Sequence, residues 1–256
     1  MPGLVALTRP VSSAMADCEL THLERVPIDV QRARTQHAAY VSALCDHECR
    51  VITLPGADDL PDSVFVEDTA VVLDEIAIIT RPGAPSRRAE VAAVAAELAR
   101  HRTVTRMQPP ATLDAGDVLR IGRTLFVGAS SRTGSDGIAA LRSAAEPFGY
   151  RTVPVALTGC LHLKTAATAI AADRLLVNPR WVDSGAFGNV QCIEVAAHEP
   201  FAGNALLVGD HVIYPAAFPA TCERLLSAGI AVHTVDVSEL AKAEGGVTCC
   251  SIIFEE

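Results

Sequence analysis

The chain has no apolar run approaching the roughly 18 residues that span a bilayer. Segments such as AVVLDEIAIIT and RLLVNPRWV are broken by charge or proline, so no membrane association is expected. Basic clusters of the kind that track phosphates are also missing. Acidic residues number 30 against 21 basic ones, for a formal net charge of -9, which argues against a nucleic-acid partner. The opening MPGLVALTRP lacks a basic stretch followed by a sustained apolar one, the pattern of a secretory signal. A cytoplasmic protein in a reducing compartment is therefore expected, with its cysteines as thiols. The eight cysteines, Cys18, Cys45, Cys49, Cys160, Cys192, Cys222, Cys249 and Cys250, show no regular spacing. Most are expected to be inert small hydrophobes.

What is there is a chain of 256 residues, 50% of them apolar, enough to bury a substantial core in one domain spanning residues 1–256. A plan recurs along it: an apolar run, a two-residue polar turn, a second apolar run, a helix, then one more strand. DTAVVLDEIAIITRP turns at Asp74-Glu75 and precedes the helical SRRAEVAAVAAELARH. AGDVLRIGRTLFVGAS turns at Gly122-Arg123 and leads into GSDGIAALRSAAEPFG. TAATAIAADRLLVNPR turns at Ala172-Asp173, and a short helix is expected after it around Gln191 to Val195. GNALLVGDHVIYPAA turns at Gly209-Asp210 and precedes FPATCERLLSAGI, a helix closing at Gly229. The closing strands are TVTRM, RTVPVA and AVHTVDV. VTCCSIIFEE and the opening LVALTRP each lack a hairpin partner, so together they complete a fifth unit and close a ring, which removes edge strands. An open α/β sheet with the same elements is the alternative.

Four places carry residues suited to chemistry. EGGVTCCSII sets Cys249 after two glycines at the start of an apolar run, where Cys250 is expected to point to the opposite face of the strand. A cysteine nucleophile acts as thiolate and needs a nearby base or cation. His101 and His233 lie at ordinary element edges, while His22, His37, His47, His198 and His211 occupy polar or turn-like contexts. His162 stands out in GCLHLKTAA, on the same side of an extended segment as Lys164, although a surface or satisfied histidine remains open. In TLDAGDVL, Asp114 and Asp117 flank a glycine and either orient a histidine, bind a metal, or bond their own turn. In LPDSVFVEDTAVV, Asp62, Glu67 and Asp68 suit a planar cation, with helix capping or a solvated loop as the alternative. Arg87 and Arg88 in RPGAPSRRAEV and Arg132 in GASSRTGSDG suit a carboxylate.

Together LPDSVFVEDTAVV, ITRPGAPSRRAEV, ATLDAGDV, FVGASSRT, LHLK and GGVTCCS resemble the dimethylarginine dimethylaminohydrolases of the guanidine-modifying superfamily, in order from residue 60 to 251. The resemblance implies an α/β fold: a five-fold pseudosymmetric α/β propeller, or pentein, of ββαβ units around a central site. It implies a catalytic set of Cys249, His162 and Asp114, with Asp62, Glu67 and Asp68 near the guanidinium and Arg87 and Arg132 on the substrate carboxylate. It also gives Leu20 to a mobile lid and the Ala243 carbonyl to the substrate's α-amino group. Lys164 stands where related arginine deiminases carry an aspartate that grips the terminal guanidinium nitrogens, which favours a methylated substrate.

The implied reaction is hydrolysis of an Nω-methylated arginine to citrulline through a Cys249 thiouronium, with no cofactor and no metal. The partner is a small-molecule substrate, and the protein is a monomer or homodimer. An arginine deiminase, a non-catalytic sensor of arginine derivatives, and a zinc hydrolase using Cys160, His162 and Asp117 are the alternatives.

Overall fold

Apolar runs of three to six residues, each halted by a polar pair, are too short to bury a face alone, and this chain closes them into a ring. The computed structural model describes residues 3–256. β1 (Leu4–Thr8) passes through a long loop into α1 (Val30–Asp46) and β2 (Arg50–Thr53). β3 (Ala70–Val72), β4 (Ile76–Ile79), α2 (Val91–Leu98) and β5 (Thr103–Arg106) make one ββαβ unit. β6 (Val118–Ile121), β7 (Thr124–Ala129), α3 (Ser135–Ala145) and β8 (Arg151–Ala156) make the next. The third opens with one helical turn, α4 (Leu163–Ala166), and continues through β9 (Ala167–Ala171), β10 (Arg174–Val177) and β11 (Gln191–Glu194). β12 (Leu206–Val208), β13 (His211–Pro215), α5 (Pro219–Ser227) and β14 (Ala231–Val235) follow, then α6 (Ser238–Ala241) and β15 (Ile252–Glu255).

In each of the four continuous units the first strand is antiparallel to the second and the second parallel to the third. The fifth sheet has the order β15-β1-β2, with β15 antiparallel to β1 from Leu4↔Glu255 to Leu7↔Ile252. The opening and closing runs therefore complete one sheet, as their missing hairpin partners required. Helices cross between the parallel strands and bury one stripe each, such as Val94, Ala95 and Leu98 on α2 and Ile138, Leu141 and Ala145 on α3, the spacing that puts side chains on a single face.

First strands of neighbouring units pack on one another about the axis, β6 on β9, β9 on β12 and β15 on β3. The turns leading into these strands carry Glu67 and Asp68, Asp114 to Asp117, His162, Asn204 and Cys249. Five-fold repetition thus delivers one chemically active turn per unit to the same place.

Four local expectations are corrected. Gln191 to Val195 is not a helix: Gln191–Glu194 is the parallel strand β11, and the crossover is a single 3-10 turn, Ser184–Phe187, capped by the Asp183 carboxylate on the Gly185 N–H at 2.9 Å. The connection there is short, and one buried ring, Phe187 edge-on to Phe126 with centroids 5.2 Å apart, fills the place a longer helix would take. His162 is followed by helical rather than extended backbone, because Leu163–Ala166 turns once before β9. Cys249 and Cys250 lie in a turn that ends before β15, so their divergence comes from turn geometry and not from strand alternation. His37 is buried within α1, where removal from water pushes its pKa down to about 4.

Among the described residues no helix is long and apolar enough to cross a membrane. Leu7 is fully buried on β1 among Ile79, Val94 and Phe254, where the fifth sheet meets the first complete unit. Leu7→Ala should cost about 2–5 kcal/mol in urea denaturation. The same change at Leu226, which is 53% exposed, should stay within about 0.5 kcal/mol.

Candidate active site

Cys249 sits on the turn before β15, with its backbone carbonyl accepting the Glu67 N–H at 3.1 Å and its sulfur accepting the Gly246 N–H at 3.3 Å. The two preceding glycines are required by crowding: a side chain at Gly245 would run into the Phe65 ring and one at Gly246 into the Asn204 amide. Burial, then the negative charges of Glu67 and Asp68, push the Cys249 thiol up to about 12. With its pKa held this high, the resting group is a thiol.

His162 lies at the start of α4 and is 5% exposed. Its Nε2 is 3.1 Å from Asp114 Oδ2 and its Nδ1 is 3.8 Å from Asp68 Oδ1. Asp114 is held in turn by the Gly83 N–H at 2.8 Å. Burial opposes a charged ring, but Asp68, the Asp114 hydrogen bond and Asp117 together outweigh it and hold His162 up at about 9. At neutral pH the ring is an imidazolium.

Asp68 is also buried, 2% exposed. Burial works against its charge, yet His162, Arg87 and the Gly116 N–H at 3.0 Å hold its pKa below the ordinary carboxylate value. Arg87 reaches Asp68 Oδ2 at 2.5 Å and also holds Glu90 with Nε at 3.1 Å and Nη2 at 2.8 Å, while Nη2 bonds the Phe65 carbonyl. One Nη1 N–H remains uncommitted, so Arg87 cannot grip a third carboxylate bidentately while these pairs stand. Arg132 is freer: its side-chain hydrogen bond among the described residues is from Nη2 to Thr21 Oγ1 at 2.9 Å.

Asp62, Asp68, Arg87, Arg132, His162, Ala243 and Cys249 all line one small cavity of about 20 Å³, room for about one water molecule. Burial raises the Asp62 pKa, with Arg87 opposing. The structure thus brings together seven of the ten residues that sequence singled out. Asp114 stands behind His162, out of the cavity but bonded to it. Leu20 packs against the apolar cluster around α1 and does not line the cavity. Glu67 faces the other way: it takes Lys164 Nζ at 2.7 Å and Thr248 Oγ1 at 2.7 Å, and lines a separate cavity with Lys164.

Residues that the sequence did not single out complete the site. Asn204 bonds the Thr248 N–H, the Thr248 hydroxyl and the Lys164 carbonyl, bracing the turn that carries Cys249. It follows a glycine directly before an inner strand, a repeat position that could have marked it. Glu90 fixes Arg87 and has no such marker. Asp68, Asp114 and His162 form a ligand-type group with atoms within 4.8 Å of one another, but each is engaged as described. Cys160, His162 and Asp117 do not form such a group among the described residues. The Cys160 thiol faces the His162 carbonyl, and Asp117 caps Leu163 and holds Ser130.

A family model described as N,N dimethylarginine dimethylhydrolase, eukaryotic, matches residues 21–255. The N(G),N(G)-dimethylarginine dimethylaminohydrolase of Streptomyces coelicolor is 40% identical, over 100% of this chain and 99% of that protein. A solved structure of the Pseudomonas aeruginosa dimethylarginine dimethylaminohydrolase, a cysteine-to-serine variant complexed with citrulline, superposes with TM-score 0.95 at 34% identity, covering 99% of this chain and 100% of that one. A histidine-to-glycine dimethylarginine dimethylaminohydrolase in adduct with S-methyl-L-thiocitrulline superposes with TM-score 0.93 at 34% identity, over 99% and 100% of the two chains.

A side chain at Gly116 would lie 2.7 Å from both Asp68 Oδ1 and His162 Nδ1. Gly116→Ala should therefore displace the imidazole from its carboxylates, and a nuclear magnetic resonance titration of His162 should show its pKa falling from about 9 toward the ordinary histidine value. A ring still titrating near its original value would reject this account.

Proposed function

The chain belongs to the dimethylarginine dimethylaminohydrolase family, and from that membership we propose that it hydrolyses Nω-methylated L-arginine to L-citrulline and a methylamine. The observation that carries this reading is the sharing of one small cavity by Cys249, His162, Asp62 and Asp68. A thiol and the carboxylates of Asp62 and Asp68, beside an imidazole already engaged by Asp114 and Asp68, suit a substrate that brings its own positive charge.

In this reading the guanidinium lies between Asp62 and Asp68 and brings a further positive charge beside Cys249, which favours the thiolate. Sulfur adds to the guanidinium carbon. His162 gives its proton to the methylated nitrogen, the carbon–nitrogen bond breaks, and an S-alkylthiouronium remains. The neutral imidazole then takes a proton from water as the oxygen attacks, and collapse releases citrulline and the thiolate. Asp114 keeps the ring oriented throughout.

Arg132 is the arginine with donors to spare for the substrate carboxylate, and the Ala243 carbonyl at the cavity wall suits the α-amino group. Arg87 serves by fixing Asp68. Lys164, bound to Glu67 and to the Ala115 carbonyl at 3.3 Å, leaves no carboxylate at its position to demand an unsubstituted nitrogen, which favours methylated arginines over arginine. Eight free cysteines and the net charge of -9 fit a cytoplasmic enzyme acting on a small molecule as monomer or homodimer.

Incubation with asymmetric dimethylarginine should yield citrulline, and Cys249→Ser should abolish it. No citrulline from the parent protein would reject the function, and full activity in Cys249→Ser would reject the nucleophile. The pH profile follows from two shifts. The reactive thiolate–imidazolium form is the minor one, because Cys249 near 12 lies above His162 near 9. Below about 9 an extra proton occupies the pair, and the reactive share falls about tenfold per pH unit. The value of kcat/KM should therefore climb with pH and level off near the His162 value. Asp114→Asn should move that break to lower pH, and an unmoved break would contradict the hydrogen bond's role.

A further inference from the structure

The cavity at Asp62 and Arg132 has room for about one water molecule, too little for an amino acid, so the segment covering those two groups must shift for a ligand to engage them both. That segment is the loop after Cys18. The Glu19 N–H bonds Asp62 Oδ2 at 3.1 Å, and Thr21 Oγ1 takes the Arg132 guanidinium at 2.9 Å. Both partners belong to the proposed substrate set, so a ligand that engages them competes for the bonds that hold the loop shut. A further contact, Ser86 Oγ to Glu19 Oε1 at 2.5 Å, is exposed to water and contributes little.

One tie is independent of these groups. The Glu244 carboxylate accepts three consecutive backbone N–H groups, Thr21 at 3.0 Å on Oε2, and His22 at 2.5 Å and Leu23 at 2.6 Å on Oε1. Three successive amides converging on one anion make a charge-assisted contact, with the Thr21 and His22 bonds exposed and the Leu23 bond half-buried. Glu244 reaches it from a left-handed backbone, φ 60, which a non-glycine residue adopts at a cost. It also stands between Ala243 and the Gly245-Gly246 pair, on the stretch that leads into the nucleophile's turn.

We propose that Glu244 is a positioning residue, the latch that keeps the loop over residues 19–23 closed when substrate occupies Asp62 and Arg132. Because the latch and Cys249 share one short stretch of chain, closing the loop also sets the wall against which substrate meets sulfur. The kinetic part of this inference rests on the function proposed above, and the structural part does not.

Glu244→Gly removes the carboxylate while relieving the left-handed strain, and Glu244→Gln keeps the acceptor without its charge. Hydrogen exchange on the whole protein should show protection of the Thr21, His22 and Leu23 amides falling about tenfold in Glu244→Gly, with β7 and β8 amides unchanged. Alkylation of Cys249 by iodoacetamide should speed up several-fold, and KM for asymmetric dimethylarginine should rise more than kcat falls. Glu244→Gln should fall between parent and Glu244→Gly. Unchanged exchange at residues 21–23 in both variants, or unchanged alkylation, would overturn the latch. Faster exchange and alkylation in a protein that turns over no methylated arginine would uphold the latch while rejecting the proposed function.

Discussion

A carboxylate sealed from water must be ringed by donors or surrender its charge. Asp68 keeps its charge because Arg87, the Gly116 amide and the His162 imidazolium converge on it from three different turns. That charge in turn keeps His162 protonated and Cys249 protonated as well. The resting site is thus a thiol beside an imidazolium, held by an excess of negative charge. Such a site is poised for a cation, so its specificity and its activation share one electrostatic cause.

The ring topology is what makes this enclosure affordable. Each inner strand is entered through a turn, and turns expose the backbone amides that a buried acid needs. Gly83 serves Asp114, Gly116 serves Asp68, Leu163 serves Asp117 and Gly246 serves Cys249. A single sheet would place such turns at scattered ends. Five small sheets set edge to edge bring them together, while their apolar faces are covered by helices on the outside.

Much of this was legible in the sequence. The hairpins announced themselves because polar pairs such as Asp74-Glu75 and Gly209-Asp210 interrupt otherwise continuous apolar runs, and closure of the ring followed from two runs without partners. Cys249, His162 and Asp114 were legible as motifs. The role of Arg87 was not, because it depends on Glu90, one turn along, where the pattern reads as ordinary helix surface. The third crossover was misread because the alternation in Gln191 to Val195 was outweighed by the expectation of a helix in every unit. Glu244 left no trace at all, since its partners are main-chain amides, which every sequence contains.

The pairing of β15 with β1 also bears on the protein's manufacture. β15 emerges from the ribosome after the fourteen strands that precede it, and the nucleophile's turn is anchored by that strand. Until β15 docks, the fifth sheet lacks its inner edge and the sulfur has no fixed place beside the imidazole. Closure of the ring and the placement of Cys249 beside His162 thus rest on one pairing, that of the last strand with the first.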